Sequence, residues 1–180
     1  AAAREEVWVG GVGGPSSNLF RCDSRGQLEC QRVNLGTNEQ LNRIRRDGRL
    51  LIIAGHEGRV IVLDRFDAGA QQVPVASGAV LSAVPASGGV IWASTSQSGI
   101  LWLTLSPVVV QSESIDAGLD GVFDLFSDGT RPTLAIGAQA DKSGVFWTWN
   151  GASWVRHAPA GLGALRSIAG AGGAVYATAA

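Results

Sequence analysis

The chain has 180 residues, 46% of them hydrophobic and 16% charged, with a formal net charge of -1 and a pI near 6.1. A chain of this size buries one sizeable core, roughly 60 to 70% of its unfolded surface, and its apolar content excludes a disordered polymer. The near-neutral charge removes the electrostatic drive for nucleic-acid binding, and no run approaches the ~18 apolar residues of a membrane-spanning helix.

The chain begins Ala1-Ala2-Ala3 and contains no methionine, so processing or an anchor ahead of it is expected. One lysine, Lys142, accompanies thirteen arginines, and with the excess of alanine and glycine this points to a GC-rich bacterial genome. Val7–Gly10 is the first short strand signal. Gly10 to Pro15 is a long turn that lacks the lysine and serine of a phosphate loop and the spacing of a dinucleotide fingerprint. Asn18–Phe20 is the next strand. Cys22 and Cys30 then flank a turn, and a hairpin symmetric about Gly26 sets them opposite each other, with Cβ atoms ~4.5 to 5.5 Å apart. A disulfide is feasible at that separation and implies an oxidising, periplasmic or extracellular compartment. The alternative is a reduced pair packed as small hydrophobes. Two cysteines with no nearby histidine do not make a zinc site.

Leu41 to Val75 opens with the densest charge in the chain, Arg43, Arg45, Arg46 and Arg49, close after Arg32. These arginines are candidates for receiving an acidic partner or a lipid headgroup. The alternative is a solvated strand end, because Asp47-Gly48 marks a hairpin. His56 falls in the next turn, where a lone histidine is ordinarily solvated. Ala68 to Ser112 is 45 consecutive residues without a charge. Interface centres are depleted in charge, so this unit is a candidate partner surface, with Ser96 and Gln97 in its predicted exposed turn. The alternative is that its serines, threonine and glutamine solvate the turns unaided. Six tryptophans admit sugar stacking, but Trp8 and Trp92 occupy equivalent repeat positions, which favours core.

Asp116, Asp120, Asp124 and Asp128 recur every four residues, yet Gly118, Gly121 and Gly129 break any helix, so they span a loop, a strand and a turn; a calcium site is the alternative reading. Val122 to Pro159 is one complete four-stranded unit: Phe123–Phe126, a Ser127-Asp128-Gly129 turn, Thr133–Gly137, Val145–Trp149, a two-residue Asn150-Gly151 hairpin signal and Trp154–His157. Leu165 to Thr178 begins another unit and stops after two strands.

Aligned on the residue closing the second strand, Gly10, Gly55, Ser94, Gly137 and Thr178 lie 45, 39, 43 and 41 residues apart. A period of about 42 with four strand signals marks propeller blades, and middle strands apolar on both faces must be covered on both. The expected fold is an all-β propeller of about four to five four-stranded blades in one domain, with units near 7–40, 41–79, 80–119, 120–161 and 162–180, either closed or an incomplete ring. In the closed form Leu165 to Ala169 completes the blade of Leu19 to Val33. A β-sandwich shares the strand density without the repeat.

The passage Phe146-Trp147-Thr148-Trp149-Asn150-Gly151-Ala152-Ser153-Trp154, followed by Leu165-Arg166-Ser167-Ile168 and Val175-Tyr176-Ala177, resembles the divergent repeats of bacterial propeller proteins of the kelch-like and ligand-sensor type. No tryptophan-aspartate dipeptide is present, so the eukaryotic-type repeat is not supported. Asp128-Gly129 with Leu134 to Ala138 also resembles integrin-like repeats, though without their dense calcium aspartates. No catalytic motif occurs, although a carboxylate pair set by three-dimensional spacing is not readable from sequence. The expected function is a non-catalytic protein-binding or scaffolding propeller, an accessory subunit of an extracytoplasmic bacterial assembly, with no cofactor or metal. A lectin-like propeller is the alternative, and a hydrolase follows it.

Overall fold

The computed structural model describes residues 6–11, 18–23, 29–66, 69–97, 99–113, 115, 120–171 and 174–179. Within them the chain forms five antiparallel sheets, each running in sequence order. The first holds β1 (Glu6–Gly11), β2 (Asn18–Asp23) and β3 (Glu29–Val33). The second holds β4 (Leu41–Asp47), β5 (Leu50–Gly55), β6 (Arg59–Asp64) and β7 (Ala70–Pro74). The third holds β8 (Val80–Ala86), β9 (Val90–Thr95), β10 (Gly99–Leu105) and β11 (Val108–Glu113). The fourth holds β12 (Gly121–Ser127), β13 (Pro132–Ala138), β14 (Gly144–Trp149) and β15 (Trp154–His157), and β16 (Leu165–Ala171) with β17 (Ala174–Ala179) make the fifth. These are propeller blades: three complete, flanked by a three-stranded and a two-stranded sheet.

The strand period of two explains why the middle strands read as unbroken apolar runs. In the second sheet Leu51 opposes Leu63 and Ile53 opposes Ile61, and these four pack towards the first sheet with Leu19 and Leu35. Their neighbours Ile52, Ala54, Val60 and Val62 point the other way and pack with Ala83, Ile91, Ala93, Leu101 and Leu103 of the third sheet. The third sheet alternates in the same manner, turning Trp92 and Ile100 onto Leu125, Ala135, Val145 and Trp147 of the fourth. Each fully buried aliphatic side chain contributes roughly 1.5 to 3 kcal/mol, so the sheets are held to one another chiefly by these layers.

Small residues close the second strands because other atoms occupy the space of a side chain. A Cβ on Gly137 would lie 1.7 Å from the Gly121 carbonyl oxygen, and one on Gly55 would lie 2.2 Å from Glu39 Oε2. Glu39 is buried and accepts the Glu57 N–H at 2.8 Å and an Arg59 N–H at 3.2 Å. The Arg59 guanidinium is pushed above its ordinary range by its hydrogen bonds to Glu57 and then Glu39.

Three expectations are corrected or refined. β16 pairs with β17, and β1 pairs only with β2, so the ladder that would let Leu165 to Ala169 complete the first blade does not form among the described residues. β17 is itself a second-position strand reached through a short hairpin, and local closure costs less chain entropy than pairing with the far end of the chain. Both end sheets consequently expose apolar side chains, Val7 and Val9 on β1 and Val175 and Tyr176 on β17. Asn150-Gly151 is not a two-residue turn: Trp149 opposes Trp154, leaving a four-residue loop in which Asn150 Oδ1 accepts the N–H groups of Ala152 and Ser153. Asp47 opposes Leu50, so the residues of the hairpin loop are Gly48 and Arg49, with Gly48 at φ 54°. Glycine in the first central position suits a II′ turn.

Gly137→Ala is expected to lower stability by roughly 1 to 3 kcal/mol, because the carbonyl it meets is backbone and cannot swing aside. Urea unfolding of the two proteins checks this, and an unchanged midpoint would contradict the close approach.

Candidate functional site

Each first-position strand carries a β-bulge at the same place, between Leu41 and Arg43, Val80 and Ser82, Val122 and Asp124, and Leu165 and Ser167. A bulge bends the strand and re-aims the side chain that follows it. Here the re-aimed residues are all polar and meet one another. Arg43 donates through Nη1 to Ser167 Oγ at 3.0 Å and through Nη2 to Asp124 Oδ2 at 2.8 Å, while Ser82 Oγ donates to Asp124 Oδ1 at 2.5 Å. Asp124 is wholly buried. It also accepts Arg45 Nη2 at 2.8 Å, the Leu125 N–H at 2.9 Å and the Ile168 N–H at 2.8 Å. Five donors from four strands thus hold one carboxylate, and two guanidiniums share its single negative charge.

At the end of the first strands this cluster opens into a cavity of about 420 Å³ whose lining includes Ile44, Arg45, Arg46, Pro85, Phe126 and Ser127. Its residues come from β4, β8, β12, β16 and the Gly129 turn, which places it at one mouth of the axis.

The arginine cluster of the sequence therefore divides. Arg43 and Arg45 are turned inward onto Asp124, with side chains 29% and 26% exposed. Arg46 is exposed and donates through Nε to the Gly48 carbonyl at 3.2 Å. Arg49 pairs with Asp64 and lies over the Phe66 ring. Asp64 is held below the usual carboxylate range by that guanidinium and then by the Phe66 N–H.

Ser96 and Gln97 are exposed in the β9–β10 turn, where they pack on the preceding connection: Ser96 N–H donates to Ala79 O and Ser77 Oγ to Gln97 Oε1. The uncharged unit presents its apolar surface at the opposite end. Val108 and Val110 on β11 are 54% and 37% exposed. Beside them a cavity of about 470 Å³ is lined by Gly88, Gly89, Trp102, Leu105, Pro107 and Val109 among others. Among the described residues of that lining none carries a charge.

Cys22 lies directly opposite Cys30 in the β2–β3 ladder and the two are joined in a disulfide; Gly26 of their turn lies outside the described residues. Trp92, Trp147 and Trp154 are buried between blades, as a core reading of the tryptophans requires. The Arg131 guanidinium lies 3.5 Å from the Trp149 ring centre and 4.9 Å from that of Trp92, and Glu113 anchors it at 2.9 Å. Such cation–π contacts add to the joint between the third and fourth sheets.

The spaced aspartates face separate partners: Asp120 pairs with Arg156, Asp124 sits in the axial cluster, and Asp128 accepts the Thr130 N–H. Asp116 lies outside the described residues. His56 is exposed, whereas His157 stacks on Phe146 and bonds Thr148 Oγ1.

No family model and no curated protein matches the chain. Solved structures do. The WD40 β-propeller domain of Doa1 superposes with a TM-score of 0.64 at 16% identity, over 94% of this chain and 56% of that one. The computationally designed protein Ika8 does so at 0.60 and 10% identity, over 94% and 54%. The chain spans about half the length of these structures. The likeness is one of fold and holds without a tryptophan-aspartate dipeptide.

Removing the axial carboxylate by Asp124→Ala takes this acceptor from two guanidiniums, a buried hydroxyl and two buried N–H groups. The expected loss is about 3 to 5 kcal/mol, typical of breaking a buried ion pair from one side. Chemical unfolding checks it, and a change below ~0.5 kcal/mol would mean the cluster is dispensable.

Proposed function

We propose that the chain is a non-catalytic propeller that binds a protein partner, as an accessory or scaffolding subunit of an assembly outside the bacterial cytoplasm. The observation that carries the reading is the outer end of the third sheet. A solvent-facing outer strand ordinarily carries charges that keep its edge from pairing with other chains. β11 instead begins Val108-Val109-Val110 and reaches its first charge at Glu113. The neighbouring apolar cavity, walled by Trp102 and Pro107, offers a pocket into which a partner's side chain fits, as anchor residues do at the centre of protein interfaces. The Cys22–Cys30 disulfide supports the oxidising compartment. No helix is long and apolar enough to cross a membrane among the described residues.

The docking end is tested by charge. Val108→Lys and Val110→Lys alter exposed positions, so stability should change by no more than about 0.5 kcal/mol. Affinity capture of tagged protein from a native envelope extract, followed by mass spectrometry, should recover a specific partner with the parent chain and lose it with the lysine variants. Ser96→Arg with Gln97→Glu, at the far end of the same blade, should leave recovery intact. Undiminished capture by the lysine variants would remove this surface from the interface; loss with the Ser96 and Gln97 pair instead would move the interface to the other end.

A further inference from the structure

We infer that the axial mouth is a binding site for a carboxylate carried on a compact apolar group. The inference concerns a different cavity at this end of the propeller and does not rest on the docking role of β11.

The charge balance is the first ground. Arg43 and Arg45 both bond Asp124, whose one carboxylate offsets one of them. Arg46 adds a third guanidinium at the same mouth. Among the described residues no acidic side chain is in the cavity wall; of the acids in the adjoining turns, Asp128 accepts the Thr130 N–H, and neither it nor Asp47 lines the space. Positive charge in a concave site with apolar walls is poorly offset by solvent and attracts an anion.

The wall chemistry is the second ground. Arg45 and Arg46 present planar donor arrays that match a carboxylate. Ser127 Oγ accepts the Gly129 N–H at 3.1 Å, which leaves its own hydroxyl proton to donate. The remaining wall is apolar: Ile44, Val84, Pro85 and Phe126, with Gly170. The Phe126 ring lies where a Cβ on Gly170 would be, at 2.4 Å, so the absence of a side chain at that position lets the ring lie back against the strand. A space of about 420 Å³ falls in the range of small-ligand pockets. Desolvation against the apolar half favours a monoanion bearing a hydrophobic group over a dianion such as phosphate.

The carboxylate could come from a free small acid or from the C-terminus of a polypeptide, and calorimetric titration of the purified chain separates the two. The probes are phenylacetate and the tripeptide acid N-acetyl-Gly-Gly-Phe, each against its amide, with inorganic phosphate as the dianion control. At least one acid should bind tenfold or more tightly than its amide, the scale of a charge-assisted contact, and weaken as salt is raised. A tighter tripeptide identifies a chain terminus as the source, a tighter phenylacetate a free acid, and either supports the site. Arg46→Gln should weaken acid binding by about tenfold while Arg46→Lys retains part of it; Gly170→Ala should weaken acid and amide together by displacing Phe126. Arg46 is exposed, so its variants keep the fold, and the unfolding midpoint verifies this. Equal binding of acids and amides, tighter binding of phosphate, no acid binding at millimolar concentration, or acid binding unaffected by Arg46→Gln would overturn the inference.

Discussion

A carboxylate taken out of water costs several kcal/mol unless donors surround it, and that condition fixes the centre of this molecule. Asp124 is satisfied only when β4, β8 and β16 bring Arg43, Arg45, Ser82 and the Ile168 N–H within about 3 Å of it. The four first-position strands therefore cannot slide independently: a shift of one residue in any of them would turn a donor away and leave charge unmatched. The hydrophobic layers supply most of the cohesion between sheets, but they tolerate small displacements that the axial cluster does not.

The layers and the cluster depend on the same pleat. Along β5 and β6 alternate residues serve opposite neighbours, so each blade belongs half to the sheet before it and half to the sheet after it. At the axis that alternation would drive the first strands' polar residues into a layer, and a bulge interrupts it at the same place in each strand, so that Arg43, Ser82, Asp124 and Ser167 face the centre. Farther out, Arg131 between Trp92 and Trp149 ties the third and fourth sheets where their edges meet.

The repeat of strands was legible because it depends on hydrophobic period and on small residues at fixed places; Gly55 and Gly137 each close a second strand against a near atom, the Glu39 carboxylate in one and the Gly121 carbonyl in the other. The cysteine hairpin was legible for the same local reason. The axial cluster was not. Arg43 and Asp124 looked like members of two unrelated patterns, a run of arginines and a run of aspartates, because their shared repeat position emerges only when the bulge is counted. A signal did exist in Leu41-Asn42-Arg43, Val80-Leu81-Ser82, Val122-Phe123-Asp124 and Leu165-Arg166-Ser167: an aliphatic residue, a spacer and a polar residue, recurring at the blade period. The exposed apolar surface of the uncharged third unit, at Val108 and Val110, was not legible, since exposure depends on which residues of β11 face outward. The pairing of Leu165 to Ala169 with the first blade did not follow among the described residues, because strand counting does not tell which of two second-position strands takes a given ladder.

The bulged positions also bear on how the repeats can vary. Their side chains converge on a single point, so four identical units would place four identical groups there. Four arginines or four aspartates would repel at ~4 kcal/mol per close pair for an effective dielectric near 20, and four serines would lack the charge that now joins opposite strands. One acid, one base and two hydroxyls solve the problem only if the blades do not all carry the same residue. Divergence among the units at this position is thus a requirement of sharing an axis, and a chain of perfect copies would have to build its centre by some other chemistry.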